Sequence, residues 1–372
     1  MQLSSEDSLK LNVLLHSDIQ AVRIHESSMT LYALSSSGEE AKVELNPNTR
    51  SERYLKQVRE MLSGHVLGSP GGYPFFLKRW TRMGQAKDDS LADLLLLGEP
   101  EAVVAVANAP GLTDELARRA WWAEPISENA RRMLANPNVV AGKMGKILAA
   151  FLVEHLAFET EPMVQIDTVR LVLQPGLISD DIKQKLWTGG ARKNALRVGF
   201  LQSTSDQLPE PQPPRQDFKQ ASEILTALAD NNRLAGTLLR TLSSPGQSFL
   251  YAVEGILKKP ANQDVVVALT NTIGQYFSDA RLSDQFPRDI DRLIEDTTTL
   301  CATCEHPQIE QIVSARPDLR PTLESVLALS RISDEIVTPI FAQTTAEGTL
   351  MRKKLEPVTT PLFKLIATLR GQ

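Results

Sequence analysis

Two cysteines in 372 residues are too few for a disulfide framework, and their grouping as Cys301-Ala-Thr-Cys304 fits a reducing compartment. Long apolar runs are also missing. The best are short, such as residues 147 to 153, against the roughly 18 to 20 apolar residues needed to cross a bilayer, so no membrane span or membrane partner is expected. The opening MQLSSEDSLK has acids and serines where a secretory leader carries positive charge and then an apolar run, which reads as a cytoplasmic protein without an export signal. The five histidines, at 16, 25, 65, 155 and 306, form no HExxH and no paired spacing, so neither a zinc hydrolase nor a Ser-His-Asp triad assembles from them. Gly68-Ser69-Pro70-Gly71-Gly72 matches neither GxxxxGKS/T, nor GxGxxG after a strand, nor GxSxG, and reads as a turn.

What is there is ordinary globular material, with 42% hydrophobic and 23% charged residues, in a chain long enough to divide into domains. A net charge of −5 argues against a dedicated nucleic-acid binder, whose surface is usually basic. The charge is uneven, however. Residues 61 to 87 hold Lys78, Arg79, Arg82 and Lys87 but no acid, and residues 182 to 205 hold Lys183, Lys185, Arg192, Lys193 and Arg197 but no acid.

The periodicity predicts a mainly α protein. Ser4, with Asp7 three residues on, caps a short amphipathic helix ending near His16. Three alternating segments then follow, around Val22 and Ile24, around Met29, Leu31 and Ala33, and around Val43 and Leu45. Their short connections fit an antiparallel meander. A helix carrying Tyr54, Leu55, Val58, Met61 and Leu62 on one face completes a small N-terminal α+β unit, 1–84 with its Gly/Pro-rich loop. Short helices then succeed one another over 85–201. Pro110-Gly-Leu-Thr to Trp121 parallels Pro175-Gly-Leu-Ile-Ser to Trp187, with Thr113 and Ser179 as caps, which suggests a HEAT-like helical array. Residues 202–216, with prolines at 209, 211, 213 and 214, read as an exposed linker. Residues 217–372 read as a C-terminal α-helical bundle, with helices at 247–258, 263–277, 287–304, 306–314, 319–331 and 358–370. All four tryptophans precede the linker and both cysteines follow it.

Three clusters are candidates for function. Tyr73, Phe75, Phe76, Lys78, Arg79, Trp80 and Arg82 interleave aromatic and basic groups, the composition of interface hot spots and base-stacking surfaces. Lys183, Arg192 and Lys193 lie around Trp187, Gly189 and Gly190 at a helix junction and form either a solvated face or a docking surface for an acidic partner. Cys301 and Cys304, with His306 nearby, suit redox or sulfur-transfer chemistry, but three groups make an open metal site without a fourth ligand. Buried thiols on a helix face are the plainer reading. No motif calls for a cofactor or a metal.

The opening SSEDSLKLNVLL, the segment LSGHVLGSPGGYPFFLKRWTRMGQA, the run LLLLGEPEAVVAVANAPGLTDELARRAWWA, and LVLQPGLISDDIKQKLW with GARKNALRVGFL together resemble the S proteins of the dissimilatory sulfite reductase gene cluster of sulfur-oxidising bacteria. The likeness covers about residues 1 to 205. It implies a cytoplasmic accessory to sulfur oxidation through the reverse-acting sulfite reductase pathway, one that supports or regulates the pathway's expression, with no assigned reaction and no catalytic residue. A non-catalytic regulatory protein that binds a protein partner is the leading expectation. An RNA-binding post-transcriptional regulator is the alternative, and a thiol-based sulfur carrier using Cys301 and Cys304 the third. If Tyr73 to Arg82 forms a binding surface, replacing Lys78, Arg79 and Arg82 together by Ser changes stability by about 0.5 kcal/mol or less per site. The same variant weakens partner capture, measured beside thermal unfolding.

Overall fold

The computed structural model of the chain describes residues 3–68, 89–344 and 346–372. It is mainly α-helical with one small three-stranded sheet near the N-terminus. Among the described residues no helix is long and apolar enough to cross a membrane. The chain forms two compact units, Met1–Ala157 with Gln174–Ile178, and Phe158–Leu173 with Ser179–Gln372.

In the first unit, α1 (Ser5–Leu15) is capped as expected, Ser4 Oγ accepting the Asp7 amide at 3.1 Å, and it ends at His16. Strands β1 (Ile19–His25), β2 (Thr30–Ser35) and β3 (Glu40–Glu44) form an antiparallel meander. Val22 lies opposite Ala33, and Leu31 opposite Val43. Helix α2 (Ser51–Leu67) follows. Leu11, Leu14, Val22, Leu31, Tyr54 and Val58 share one core with their neighbours, because a sheet that is apolar on one face has to cover that face.

Asp7 does more than favour a helix start. It is fully buried, takes the Tyr54 hydroxyl, and accepts the Asn46 amide at 2.7 Å. Burial works against its charge, but these hydrogen bonds outweigh it and hold the carboxyl below its ordinary range. The opposite face of the sheet meets α5 (Asp114–Ala123). There the Arg23 guanidinium lies 4.9 Å from the Tyr32 ring and 4.7 Å from the Trp122 ring, and the Trp122 indole donates to Glu40 at 3.1 Å.

The remaining helices of this unit are α3 (Asp89–Leu94), α4 (Pro100–Ala107), α6 (Ser127–Leu134), α7 (Pro137–Ala141) and α8 (Lys143–His155). Helix α5 packs on α4 and α8, and α6 on α8. Thr113 caps α5, accepting the Leu116 amide at 3.2 Å. Asp114 then reaches across to cap α8, accepting the amides of Lys143 at 3.1 Å and Met144 at 2.9 Å. Gly142 is needed there, since a Cβ on it would stand 2.1 Å from the Asp114 carboxylate.

The second unit comprises α9 (Pro162–Val172), α10 (Asp180–Gly189), α11 (Asn194–Ser203), α12 (Phe218–Ala229), α13 (Arg233–Leu242), α14 (Ser244–Lys258), α15 (Gln263–Tyr276), α16 (Ile290–Thr303), α17 (Pro307–Ala315), α18 (Arg320–Ser330), α19 (Thr338–Phe341) and α20 (Gly348–Arg370). Ser179 caps α10 as predicted, accepting the Ile182 amide at 3.4 Å. Helices α9 and α11 lie against each other at Gly199, where a Cβ would come within 2.7 Å of Val169. Both also touch α15.

The helical succession expected over 85–201 is therefore shared between the two units, its last helices packing with the C-terminal ones, and 202–216 is no hinge. The proline-rich run lies within the second unit. The Gln212 amide donates to Ser248 at 2.8 Å, the Ser244 hydroxyl donates to the Gln212 carbonyl at 2.6 Å, and the Arg215 amide donates to the Leu242 carbonyl at 2.9 Å. Prolines offer no N–H to satisfy, so a few such anchors meet the polar groups that remain. Trp187 also belongs to this unit, so the tryptophans do not report on one unit alone.

Two of the longer helices depart from the periodicity. The α13 segment, capped by Asn232 through the Ala235 amide at 3.1 Å, was not among the expected helices. Helix α20 begins at Gly348, ten residues before its expected start, and runs through Pro357 and Pro361. Each proline removes a donor to the carbonyl four residues back. Burial of Met351, Leu355, Val358 and Leu362 along one face offsets that loss.

The Arg215 side chain, 9% exposed, bridges Asp217 at 2.6 Å, Thr322 at 3.0 Å and the Thr368 carbonyl at 3.3 Å. Limited proteolysis is thus expected to spare 202–216 in the parent protein. Arg215→Ala should lower stability by about 3 kcal/mol and open the run to cleavage, read by mass spectrometry of the fragments.

Candidate functional site

The aromatic and basic stretch from Tyr73 to Arg82, with Phe75, Phe76, Lys78, Arg79 and Trp80, lies outside the described residues. The second basic cluster is described. Lys183 is half-buried on α10 and paired with Asp180 at 2.8 Å. Arg192 and Lys193 are exposed in the tight turn before α11. Their amides both donate to the Gly189 carbonyl, at 3.1 and 3.2 Å. Among the described residues neither side chain is held in an ion pair.

Trp187 is the post on which this corner stands. It is buried, meets Phe200 edge to face at 5.3 Å, lies under the Arg197 guanidinium at 4.9 Å, and donates through its indole to Glu210 at 3.3 Å. The Asn194 side chain donates through Nδ2 to the Lys259 carbonyl at 2.7 Å and fixes the start of α11. The structure thus separates what the sequence placed together: Trp187 and Arg197 are architecture, Lys183 is partly neutralised, and Arg192 and Lys193 are free to meet an anion. A rigid turn carrying two cations lowers the ordering cost of binding an acidic partner.

Cys301 and Cys304 do not share a helix face. Cys301 lies in the last turn of α16, fully buried, and Cys304 is the cap residue just beyond the helix, in left-handed backbone with φ 48°. The Cys304 thiol donates to the Cys301 carbonyl at 3.2 Å. Burial, reinforced by Glu324 and by Cys304 itself, pushes the Cys301 thiol up to about 12. A thiol held protonated is a poor nucleophile and a poor metal ligand. His306 caps α17, its Nδ1 accepting the Gln308 amide at 3.3 Å, which occupies that nitrogen. Among the described residues no three His, Cys, Asp or Glu side chains are gathered to hold a metal ion.

One polar cluster was not foreseen. Asp206, Arg240 and Tyr276 line or flank a cleft of about 380 Å³ that Gln202, Ser205, Asn271, Thr272 and Gln275 also line. Asp206 takes Arg240 through two nitrogens, at 2.9 and 2.7 Å. The Arg240 guanidinium lies 3.8 Å from the Tyr276 ring, and the Tyr276 hydroxyl donates to Asp206 at 3.2 Å. Burial first, then Asp206, raise the Tyr276 phenol well above its ordinary value against the opposing Arg240. Every charge in the cluster is matched and the phenol is held neutral, so it ties the start of the proline-rich run to α13 and α15 and supplies no free base. Nothing local marks these residues, since they stand more than thirty positions apart.

Comparison with protein-family models, curated proteins and solved structures finds no match.

The two cysteines should therefore differ sharply in reactivity. In the folded protein at pH 8, iodoacetamide is expected to label Cys304 and leave Cys301 untouched, and both should react after denaturation, as counted by intact-mass spectrometry. Equal labelling of both in the folded state contradicts the burial argument.

Proposed function

We propose that this chain is a non-catalytic accessory or regulatory protein that acts by binding a protein partner, in dissimilatory sulfur oxidation. The place in sulfur oxidation rests on the resemblance of residues 1 to 205 alone. The binding role rests on the α10–α11 corner, where Arg192 and Lys193 stand exposed on a turn braced from below. In a chain of net charge −5, such a corner attracts an acidic surface while the rest of the chain repels it, which favours one orientation of encounter. The burial of the Cys301 thiol weighs against the sulfur-carrier alternative.

The test is affinity capture from cells grown on reduced sulfur, with and without nuclease, comparing the parent with an Arg192→Ser, Lys193→Ser double variant. A protein partner that survives nuclease and is depleted by the variant is the expected result. Loss of the partner on nuclease treatment, with binding that falls steeply as salt rises, moves the assignment to RNA. Unchanged capture by a folded double variant removes the corner from the binding surface.

A further inference from the structure

The two edges of the sheet are treated differently. At the β1 edge the Val22 amide donates to the Leu95 carbonyl at 2.8 Å, and α5 packs on the strand. At the other edge, among the described residues, no strand pairs with β3. The phase of the ladder shows which groups face outward there. The Leu45 amide donates to the Met29 carbonyl at 2.9 Å, so 41, 43 and 45 turn their backbone groups toward β2. Lys42 and Glu44 turn theirs away from it.

Beside this edge runs an apolar groove of about 700 Å³ between α1 and β3, lined among others by Leu9, Val13, Leu14, Ala41 and Val43. Leu9 is 67% and Val13 66% exposed, an unusual position for two large aliphatic side chains on one short helix.

We propose that a second copy of this chain covers the edge, β3 pairing antiparallel with β3 of the partner about a two-fold axis through Val43. The charge pattern selects the occupant and its register. With Val43 opposite the partner's Val43, Lys42 stands opposite the partner's Glu44 and Glu44 opposite the partner's Lys42, so two opposite-charge pairs form and the outward backbone groups of these residues pair with each other. A shift of one step to centre on Lys42 sets Lys42 against the partner's Lys42 and Glu40 against the partner's Glu44. A shift the other way sets Glu44 against the partner's Glu44. Like charges directly opposite are unfavourable. The ladder ends at Asn46, whose amide is already held by Asp7.

A two-fold axis perpendicular to the sheet keeps both α1 helices on the same face. Leu9 and Val13 of the two copies then close the groove over the paired Val43 side chains. Charges on an edge strand usually deter pairing with stray strands, and here they match a second copy. A centre on Ala41 would also set Lys42 against the partner's Glu40, but that carboxylate is already held by Arg23 at 2.8 Å and by the Trp122 indole at 3.1 Å.

Analytical ultracentrifugation of the full chain over a range of concentrations tests this. The expected species is twice the chain mass, dissociating on dilution. Lys42→Glu, which faces two carboxylates across each pair, should raise the dimer dissociation constant by about tenfold. Glu44→Lys should do the same through opposed ammonium groups. The double variant Lys42→Glu with Glu44→Lys restores opposite charges across the axis and should recover dimerisation. These exposed positions leave folding intact, checked by circular dichroism. A parent that stays monomeric at all concentrations overturns the proposal, as does a dimer indifferent to all three variants. Because capture of a different partner through Arg192 and Lys193 is a separate measurement, either reading can fail without the other.

Discussion

The second unit depends on one arginine. Arg215 stands at the end of a proline-rich run that has almost no apolar surface of its own, and it joins that run to four helices. Its backbone reaches the end of α13, its guanidinium grips Asp217 just before α12, and its remaining donor meets Thr322 on α18 and the last turn of α20. The guanidinium holds the Asp217 carboxyl below its ordinary range, and that stabilisation is present above the unfolded carboxyl's titration and fades as pH falls through the folded one. A planar, always charged fork is the side chain suited to such a junction, since it satisfies several acceptors in fixed directions at once.

The same economy recurs at several other polar groups of this protein, buried or half-exposed. Asp7 is held by Tyr54 and by the Asn46 amide, Asp206 by Arg240 and Tyr276, Trp187 by Glu210. Each of these is satisfied from within, which rigidifies its surroundings. At the surface, the α10–α11 turn presents Arg192 and Lys193, and the β3 edge, where Lys42 and Glu44 pair with each other at 2.7 Å, presents outward backbone groups beside an aliphatic groove. Those features suit association better than bond making.

The local elements were largely legible. Ser4, Thr113 and Ser179 cap helices as their spacing indicated, because a cap is a bond between residues three apart and needs nothing from the rest of the chain. The three strands follow the alternation of Val22, Leu31 and Val43, since the face a side chain takes in a strand is set by its parity. The proline signals misled at 202–216 and at Pro357 for one reason. A proline weakens local structure by removing a donor, and whether that matters depends on what packs against the segment.

The candidate residues divide in the same way. That residues around 187 form a basic corner could be read from the chain, and so could the pairing of Lys183 with Asp180 one turn back on the same helix. That Arg197 is spent on the Trp187 ring could not, because that contact forms only through folding. What the sequence determined by itself is a mainly α chain with a small antiparallel sheet, its helix starts, its apolar faces and its two acid-free stretches, all of them carried by neighbours within a few residues. What only the tertiary structure decided is where the chain divides, that the proline-rich run is held, that Cys301 is sealed from solvent, and that Asp206, Arg240 and Tyr276 meet. Those outcomes come from contacts between residues many turns apart, whose pairing is set by how the helices pack and not by any pattern along the chain.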